Sequence, residues 1–382
     1  MTDLLSSSLP RTDTPQPGDN GRITVDLAAL AANWRTLAAR LNDGTECGAA
    51  VKADCYGLGD APCMSALWQA GCRTFFVATP QEGARLRAML PEAAAYILNG
   101  LYPGDADYYA AHELRPCLGS PAEVAEWREA GAPGPAALHV DTGISRLGLS
   151  AGETAGVAAS GLPRLSLVMS HLACADTPDA PSNARQLSRF REISALFPGV
   201  PRSLANSAGI FLGPTFHFDL ARPGVALYGG QPSNDAASRL APVVTLEARI
   251  LHTHVLARGE TIGYGAAWTA PADMRVAMVA AGYADGYLRS AGSSDARAGA
   301  DAWLAGYRLP ALGRVSMDMT AFDISALPEG LAERGVFVEL FGANIGVDEV
   351  AAAAGTIGYE LLTSLGHRFT RRHVGDPTGT KR

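Results

Sequence analysis

From about residue 21 to residue 240 the chain repeats one unit: a short, wholly apolar run, a polar turn containing Gly or Pro, then an amphipathic stretch. A strand buried on one face alternates apolar and polar residues. These runs are continuous, which calls for cover on both faces and so for a parallel sheet wrapped in helices. Eight runs can be read, at 47–52 (CGAAVK), 74–79, 94–100, 115–119, 136–141, 165–171, 203–207 and 218–227. Eight parallel βα units close into a barrel. Near residue 241 the rhythm changes to strand-like runs joined by Gly- and Pro-rich turns, and only VDEVAAAAGTIGYELLTSLG near the end reads as helical. The expected fold is therefore α/β: a (β/α)8 TIM-type barrel followed by a mainly β C-terminal domain.

The expected boundaries are a disordered tail over 1–20, a strand over 21–27 that can join the second domain's sheet, the barrel over 28–240, the β domain over 241–375 and a short tail over 376–382. Asp26 stands before an amphipathic run as its helix cap. With 47% hydrophobic and 18% charged residues, the chain has enough apolar surface to order itself. The net charge of -7 is spread without a basic block, which excludes nucleic-acid binding by bulk charge. No apolar run reaches the ~18 residues of a membrane span, and the opening stretch lacks the apolar core of a signal peptide. Cys47, Cys55, Cys63, Cys72, Cys117 and Cys174 show neither metal nor disulfide-framework spacing, so reduced thiols in a cytoplasmic protein are expected, and no metal.

Barrels carry function where strands run into βα loops, so the polar residues that end each run matter first. Lys52 is one. A lysine at a buried strand end is partly desolvated, which favours the neutral amine and attack on an aldehyde, although a snorkelling lysine is the commoner case. Tyr56 follows among glycines, where a phenol can bind a ligand phosphate or simply pack. Asn206 and Ser207 precede a short helix, an arrangement that serves an anion or an ordinary cap. Arg222 precedes a Pro-Gly turn whose Gly224 and Val225 amides can face the same point.

These residues lie within a longer series: AAVKADCYGLG, HVDTGISRLGLS, MSHLACAD, SLANSAG, FDLARPGVALYGG, GYGAAW, AAGYADGY, GRVSMD and GTIGYELLTSLG, in that order. The series resembles the pyridoxal-phosphate-dependent alanine racemases over nearly the whole folded chain. The resemblance implies a homodimer with shared sites, acting on L- and D-alanine to supply D-alanine for the cell wall. It implies that Lys52 holds the cofactor covalently and serves one face of Cα, while Tyr264 of the second subunit serves the other. His171 and Arg222 would form the network that makes this phenol a base, and Arg222 would also face the pyridine nitrogen. Tyr56, Ser207, Gly224, Val225 and Tyr359 would hold the phosphate, with Asn206 adjacent. Arg146 and the Met317 amide would bind the substrate carboxylate, and Tyr283 and Asp318 would line the partner's side of the entrance.

The sequence departs from the family pattern at three places. His139 stands where many relatives have a carbamylated lysine, so either His139 supports Arg146 directly or an anion does. Ile144 replaces a methionine, and IGY replaces INY before Glu360. His252 and His254 share a strand face with no further ligand and read as structural. Rival readings are a serine or broad-range racemase on the same scaffold, a barrel decarboxylase, which would need an acidic partner for the pyridine nitrogen, and a non-enzymatic cofactor carrier, which would lack the second domain.

Overall fold

The computed structural model describes residues 18–233 and 240–378. The expected tails at 1–20 and 376–382 fall mostly outside that range.

The first strand, β1 (Gly21–Asp26), ends at Asp26, whose carboxylate accepts the Ala28 and Ala29 N–H groups at 2.9 and 3.0 Å and starts the helix Leu27–Ala38. Such a cap contributes about 1 kcal/mol. The barrel strands follow: β2 (Glu46–Cys47), β3 (Ala49–Ala50), β4 (Thr74–Val77), β5 (Ala94–Ile97), β6 (Arg115–Leu118), β7 (Ala136–His139), β8 (Leu165–Met169), β9 (Arg202–Ser203) and β10 (Leu220–Ala221). All pairings from β3 to β9 are parallel, and β10 pairs with β2 in the same sense. The ring is completed by Gly48 N–H to Ala221 O and Ala50 N–H to Pro223 O on one side, and by Arg222 N–H to Ala205 O on the other. A Cβ at position 48 would lie 2.9 Å from the Thr74 carbonyl oxygen, so a side chain there would part β3 from β4.

The continuous apolar runs become two faces of each strand. Ala50, Phe76, Tyr96, Cys117, Ala137, Leu167, Met169 and Leu220 form one cluster that fills the barrel. Ala49, Phe75, Val77, Ala95, Ile97, Leu118, Leu138 and Val168 belong to the larger core shared with the helices. Both faces are covered, as a parallel sheet requires.

Several strands are shorter than the sequence suggests. The run at 47–52 stops at Ala50 and breaks at Gly48. The run expected over 218–227 supplies only Leu220–Ala221, because Pro223 cannot donate to a ladder and the chain turns at Gly224 into the 3₁₀ segment Val225–Tyr228.

The C-terminal domain is an eight-stranded sheet built on β11 (Val244–Leu256). It contains β14 (Met274–Val279), β15 (Asp301–Leu304), β16 (Tyr307–Leu312), β17 (Thr320–Asp323), β18 (Phe337–Phe341) and β19 (Thr370–Val374), while β12 (Thr261–Ile262) and β13 (Trp268–Thr269) form a separate hairpin. β1 lies between β11, antiparallel, and β19, parallel, so the start of the chain is stitched into the sheet of its end. Asn33 is buried and bonds Leu227 O, Ala241 O and Ala241 N–H, tying the first helix to the chain between the two sheets. The six cysteines are unpaired. Among the described residues no helix is long and apolar enough to cross a membrane, and no cluster of His, Cys, Asp and Glu is arranged to hold a metal. The His252 and His254 rings stack 5.4 Å apart on β11.

Candidate active site

A cavity of about 650 Å³ opens where the barrel strands end, between the barrel and the segment 356–363 of the second domain. Lys52, Tyr56, Arg146, His171, Asn206, Ser207, Arg222, Gly224, Val225 and Tyr359 all line it. They come from distant points in the chain, and barrel closure is what gathers them.

Lys52 begins the segment Lys52–Gly57, which is not an ordinary helix. Ala53, Asp54, Cys55 and Tyr56 hold φ values of 54°, 55°, 51° and 59°, a left-handed turn built from residues with side chains. Each such residue costs roughly 1–2 kcal/mol. The turn sets Lys52 and Tyr56 on the same cavity wall. Burial, followed by the Arg146 charge, pulls the Lys52 amine below its ordinary value, while Glu82 opposes that pull. The amine is therefore more available in its neutral, nucleophilic form.

Tyr56 is buried between Tyr228 and Tyr359, with ring centroids 4.6 and 6.0 Å away. Burial pushes its phenol well up, so it stays a neutral donor. The Gly224 backbone comes so close to the Tyr56 hydroxyl that a Cβ at 224 would overlap it. Asn206 caps the short helix Ser207–Phe211 through Gly209 N–H at 2.9 Å. The Ser207 hydroxyl accepts the Gly224 N–H at 2.8 Å and the Ala226 N–H at 3.3 Å. The expected amide cradle at Gly224 is thus closed onto Ser207 within the protein.

Arg222 is 5% exposed and bonds only neutral groups among the described residues: the Ser203 hydroxyl and the Ser170 and Leu204 carbonyls. Its guanidinium lies over the Phe76 ring, 5.8 Å from the centroid. Burial pulls it down to about 10, which leaves it charged at neutral pH. A buried cation without a carboxylate partner, a desolvated amine and a neutral phenol beside a glycine form a donor set suited to pyridoxal phosphate: an aldehyde for the amine, a ring nitrogen for the guanidinium and a phosphate for the phenol and hydroxyl.

His139 is 4% exposed, and among the described residues neither ring nitrogen has a hydrogen-bond partner. Of the two possibilities raised for this position, direct support of Arg146 by a hydrogen bond from His139 is not what the structure contains. Asp141 instead shapes the Arg146 loop, its Oδ1 accepting the Gly143, Ile144 and Ser145 N–H groups. Burial and then Arg222 pull His139 down to about 4 and His171 to about 3. Both values lie below the unfolded value of about 6.5, so the unfolded chain takes up the protons first. The stability of the neutral rings is complete above about pH 6.5 and falls as the pH drops towards 4, by about 1.4 kcal/mol per pH unit for each histidine. His139→Asn should flatten the dependence of urea-unfolding stability between pH 6 and 4.5 by about that slope. An unchanged slope would mean that His139 is already charged in the folded protein.

Four expected residues are not brought to this cavity within one chain. Tyr264 is 68% exposed on the turn Tyr264–Ala266. Tyr283 and Met317 are exposed on adjoining segments linked by Tyr283 N–H to Ser316 O and Ala284 N–H to Met317 O, each 3.0 Å. Asp318 pairs with Arg368 at 2.8 Å, which also holds Asp285.

Other wall residues have no role in the motif reading, although Thr356, Ile357, Glu360 and Thr363 lie within GTIGYELLTSLG. Phe76, Leu98, Thr356, Ile357, Glu360 and Thr363 complete the walls. Glu82 bonds Ala53 N–H at 2.7 Å, and its signal was the capping pattern Thr79-Pro-Gln-Glu82. The chain also contains just two lysines, Lys52 and Lys381, a count that singles out Lys52.

Barrel, cavity and donor set together define a pyridoxal-phosphate-dependent barrel enzyme with an appended β domain. The family model described as alanine racemase, N-terminal domain, matches residues 25–232, and that described as alanine racemase, C-terminal domain, matches 243–373. An alanine racemase of Methylobacterium nodulans is 48% identical over 94% of this chain and 98% of its own length. Among solved structures, alanine racemase from Bartonella henselae with covalently bound pyridoxal phosphate superimposes with a TM-score of 0.86 at 36% identity, covering 93% of this chain and 99% of its own. Biosynthetic alanine racemase from Pseudomonas aeruginosa gives 0.87 at 36% identity, with the same coverage. The chain belongs to the alanine racemase family.

Proposed function

We propose that the protein interconverts L- and D-alanine by a two-base route, supplying D-alanine for peptidoglycan in the cytoplasm, and that it works as a homodimer with shared sites. The observation that carries this reading is the pairing in one cavity of the desolvated Lys52 amine with a buried Arg222 that, among the described residues, no carboxylate answers.

Pyridoxal phosphate, when bound, supplies the aldehyde that joins the substrate nitrogen and a ring that draws charge from Cα. The remaining work falls to the chain. Tyr56 and Ser207 would hold the phosphate. Arg222 would face the ring nitrogen and, keeping its own proton, would weaken the ring's pull and favour return of a proton to Cα over other bond changes. Arg146 binds the substrate carboxylate from its exposed loop. Lys52 takes or returns the proton on one face of Cα.

Inversion needs a second group on the opposite face. Tyr264 is exposed, as are Tyr283 and Met317, and would be offered to a second copy, where His171 and Arg222 would tune the phenol. Six unpaired thiols support a reducing compartment.

Racemisation of alanine, serine and several larger amino acids by the holoenzyme tests the assignment. Alanine should show the highest kcat/KM, about tenfold or more above serine. Equal rates for serine would replace alanine racemisation with the broad-range reading. Cofactor held at Lys52 with no exchange of Cα hydrogen would leave the carrier reading.

A further inference from the structure

The left-handed turn after Lys52 is unfavourable for residues with side chains, and such a conformation persists when contacts outside it hold it in place. Its far end is held by the second domain. Arg371 Nε donates to Gly57 O at 2.9 Å, and the His373 ring bonds Leu58 O at 2.7 Å. At its near end the Ala53 N–H, the first after Lys52, donates to Glu82 Oε1 at 2.7 Å. The other oxygen of the same carboxylate accepts the Ala78 and Thr79 N–H groups at 2.7 and 3.1 Å. One side chain thus spans the end of β4 and the residue next to the lysine.

Capping the helix Pro80–Met89 requires only the reciprocal pair of Thr79 and Glu82. The reach to Ala53 lies outside that motif.

We propose that Glu82 is a positioning residue for Lys52 and Tyr56: its carboxylate pins the start of the left-handed turn to the end of β4 and thereby sets how the amine and the phenol meet the cofactor. This rests on the assignment of Lys52 as the cofactor lysine. The charged groups acting on the amine are Arg146, which disfavours its protonated form, and Glu82, which favours it, while His171 stands nearby as a neutral ring. Glu82 therefore contributes both a geometric hold and the negative charge that counters Arg146.

The test compares Glu82→Gln, Glu82→Ala and Thr79→Ala in the full-length protein after removal and re-addition of pyridoxal phosphate. Three quantities are read: the Kd for the cofactor from absorbance titration, the pH midpoint of covalent attachment at Lys52 from borohydride trapping and peptide mapping, and the melting temperature. Glu82→Gln should weaken cofactor binding about tenfold, the effect of losing a charge-assisted hydrogen bond. It should also move the attachment midpoint to lower pH by about half a unit, because an amine without its nearby carboxylate loses its proton more readily. Thr79→Ala removes the other half of the capping box, and should lower the melting temperature while leaving Kd and midpoint at wild-type values.

Gln variant values indistinguishable from wild type would overturn the proposal. So would equal changes in Glu82→Gln and Thr79→Ala, which would reduce Glu82 to a helix cap. Where Glu82→Ala does not fold, the near-isosteric Gln variant carries the comparison. Absence of any trapped adduct at Lys52 in the wild-type protein would sink the lysine assignment itself, whereas an adduct at Lys52 indifferent to Glu82 would sink only the positioning role.

Discussion

Lys52→Ala should lower alanine racemisation by about 10⁴-fold or more, because a general acid–base group typically contributes 10²–10⁴ and covalent capture of the cofactor is lost with it. The experiment is unusually clean in this chain. The sequence contains only two lysines, and the other, Lys381, is the next-to-last residue. Borohydride reduction of the wild-type protein with bound cofactor should label the peptide containing Lys52, and the variant should yield no labelled peptide from the barrel. A variant that still forms a trapped adduct there, or that racemises within tenfold of wild type, would remove Lys52 from the mechanism. The expected size of the effect follows from the environment of the amine, which burial and the Arg146 charge together push towards its neutral form. Surface lysines lack such an environment.

Tyr264→Phe carries the second large effect, and its signature is more specific than a loss of rate. The two enantiomers are equal in free energy, so a variant must lose kcat/KM equally in both directions, by about 10²–10⁴. Exchange of the Cα hydrogen with solvent is not bound by that equality. With Lys52 intact and the phenol removed, deuterium from solvent should still enter one enantiomer, the one whose hydrogen faces the lysine, and should enter the other slowly. Equal residual exchange in both would argue against bases on opposite faces. Because Tyr264 is 68% exposed in a single chain and lies outside the cavity, its partner lysine is expected in another copy. Mixing the Lys52→Ala and Tyr264→Phe proteins should then regenerate activity. A hybrid dimer has one complete site of two, and random pairing makes half of the dimers hybrids, so recovery should approach about a quarter of the wild-type rate. No recovery after verified subunit exchange would place both groups in the same chain.

Much of this is legible in the sequence alone. Runs such as TFFV and SLVM announce strands covered on both sides, and eight of them in succession leave a barrel as the economical arrangement. Asp26 marks a helix start through local hydrogen bonding that needs no distant partner. The prolines and glycines after residue 241 signal a change of architecture for the same local reason. Lys52, Tyr56, Ser207 and Arg222 stood out because each ends an apolar run or follows one closely, and strand ends converge in this fold.

Other features depend on which distant groups meet. The left-handed turn over residues 53–56 has no sequence signature, since its residues are not glycines, and it is held by Glu82 on one side and by Arg371 and His373 on the other. His139 reads as a substitution at one position, yet its two unpartnered ring nitrogens and depressed protonation follow from burial beside Arg222, more than eighty residues away. The cavity wall at 356–363 is contributed by the second domain, which periodicity identifies as helical without indicating what it faces.

The sequence by itself determined the elements, their order, the two-part architecture and the amine around which the chemistry is built, because hydrophobic period, turn residues and capping are properties of neighbours in the chain. Tertiary structure alone decided how Lys52 is aimed, which charges act on it, and which tyrosines share its cavity. Those outcomes follow from closing β10 onto β2 and from threading β1 between β11 and β19, contacts between residues far apart in sequence that no local pattern encodes.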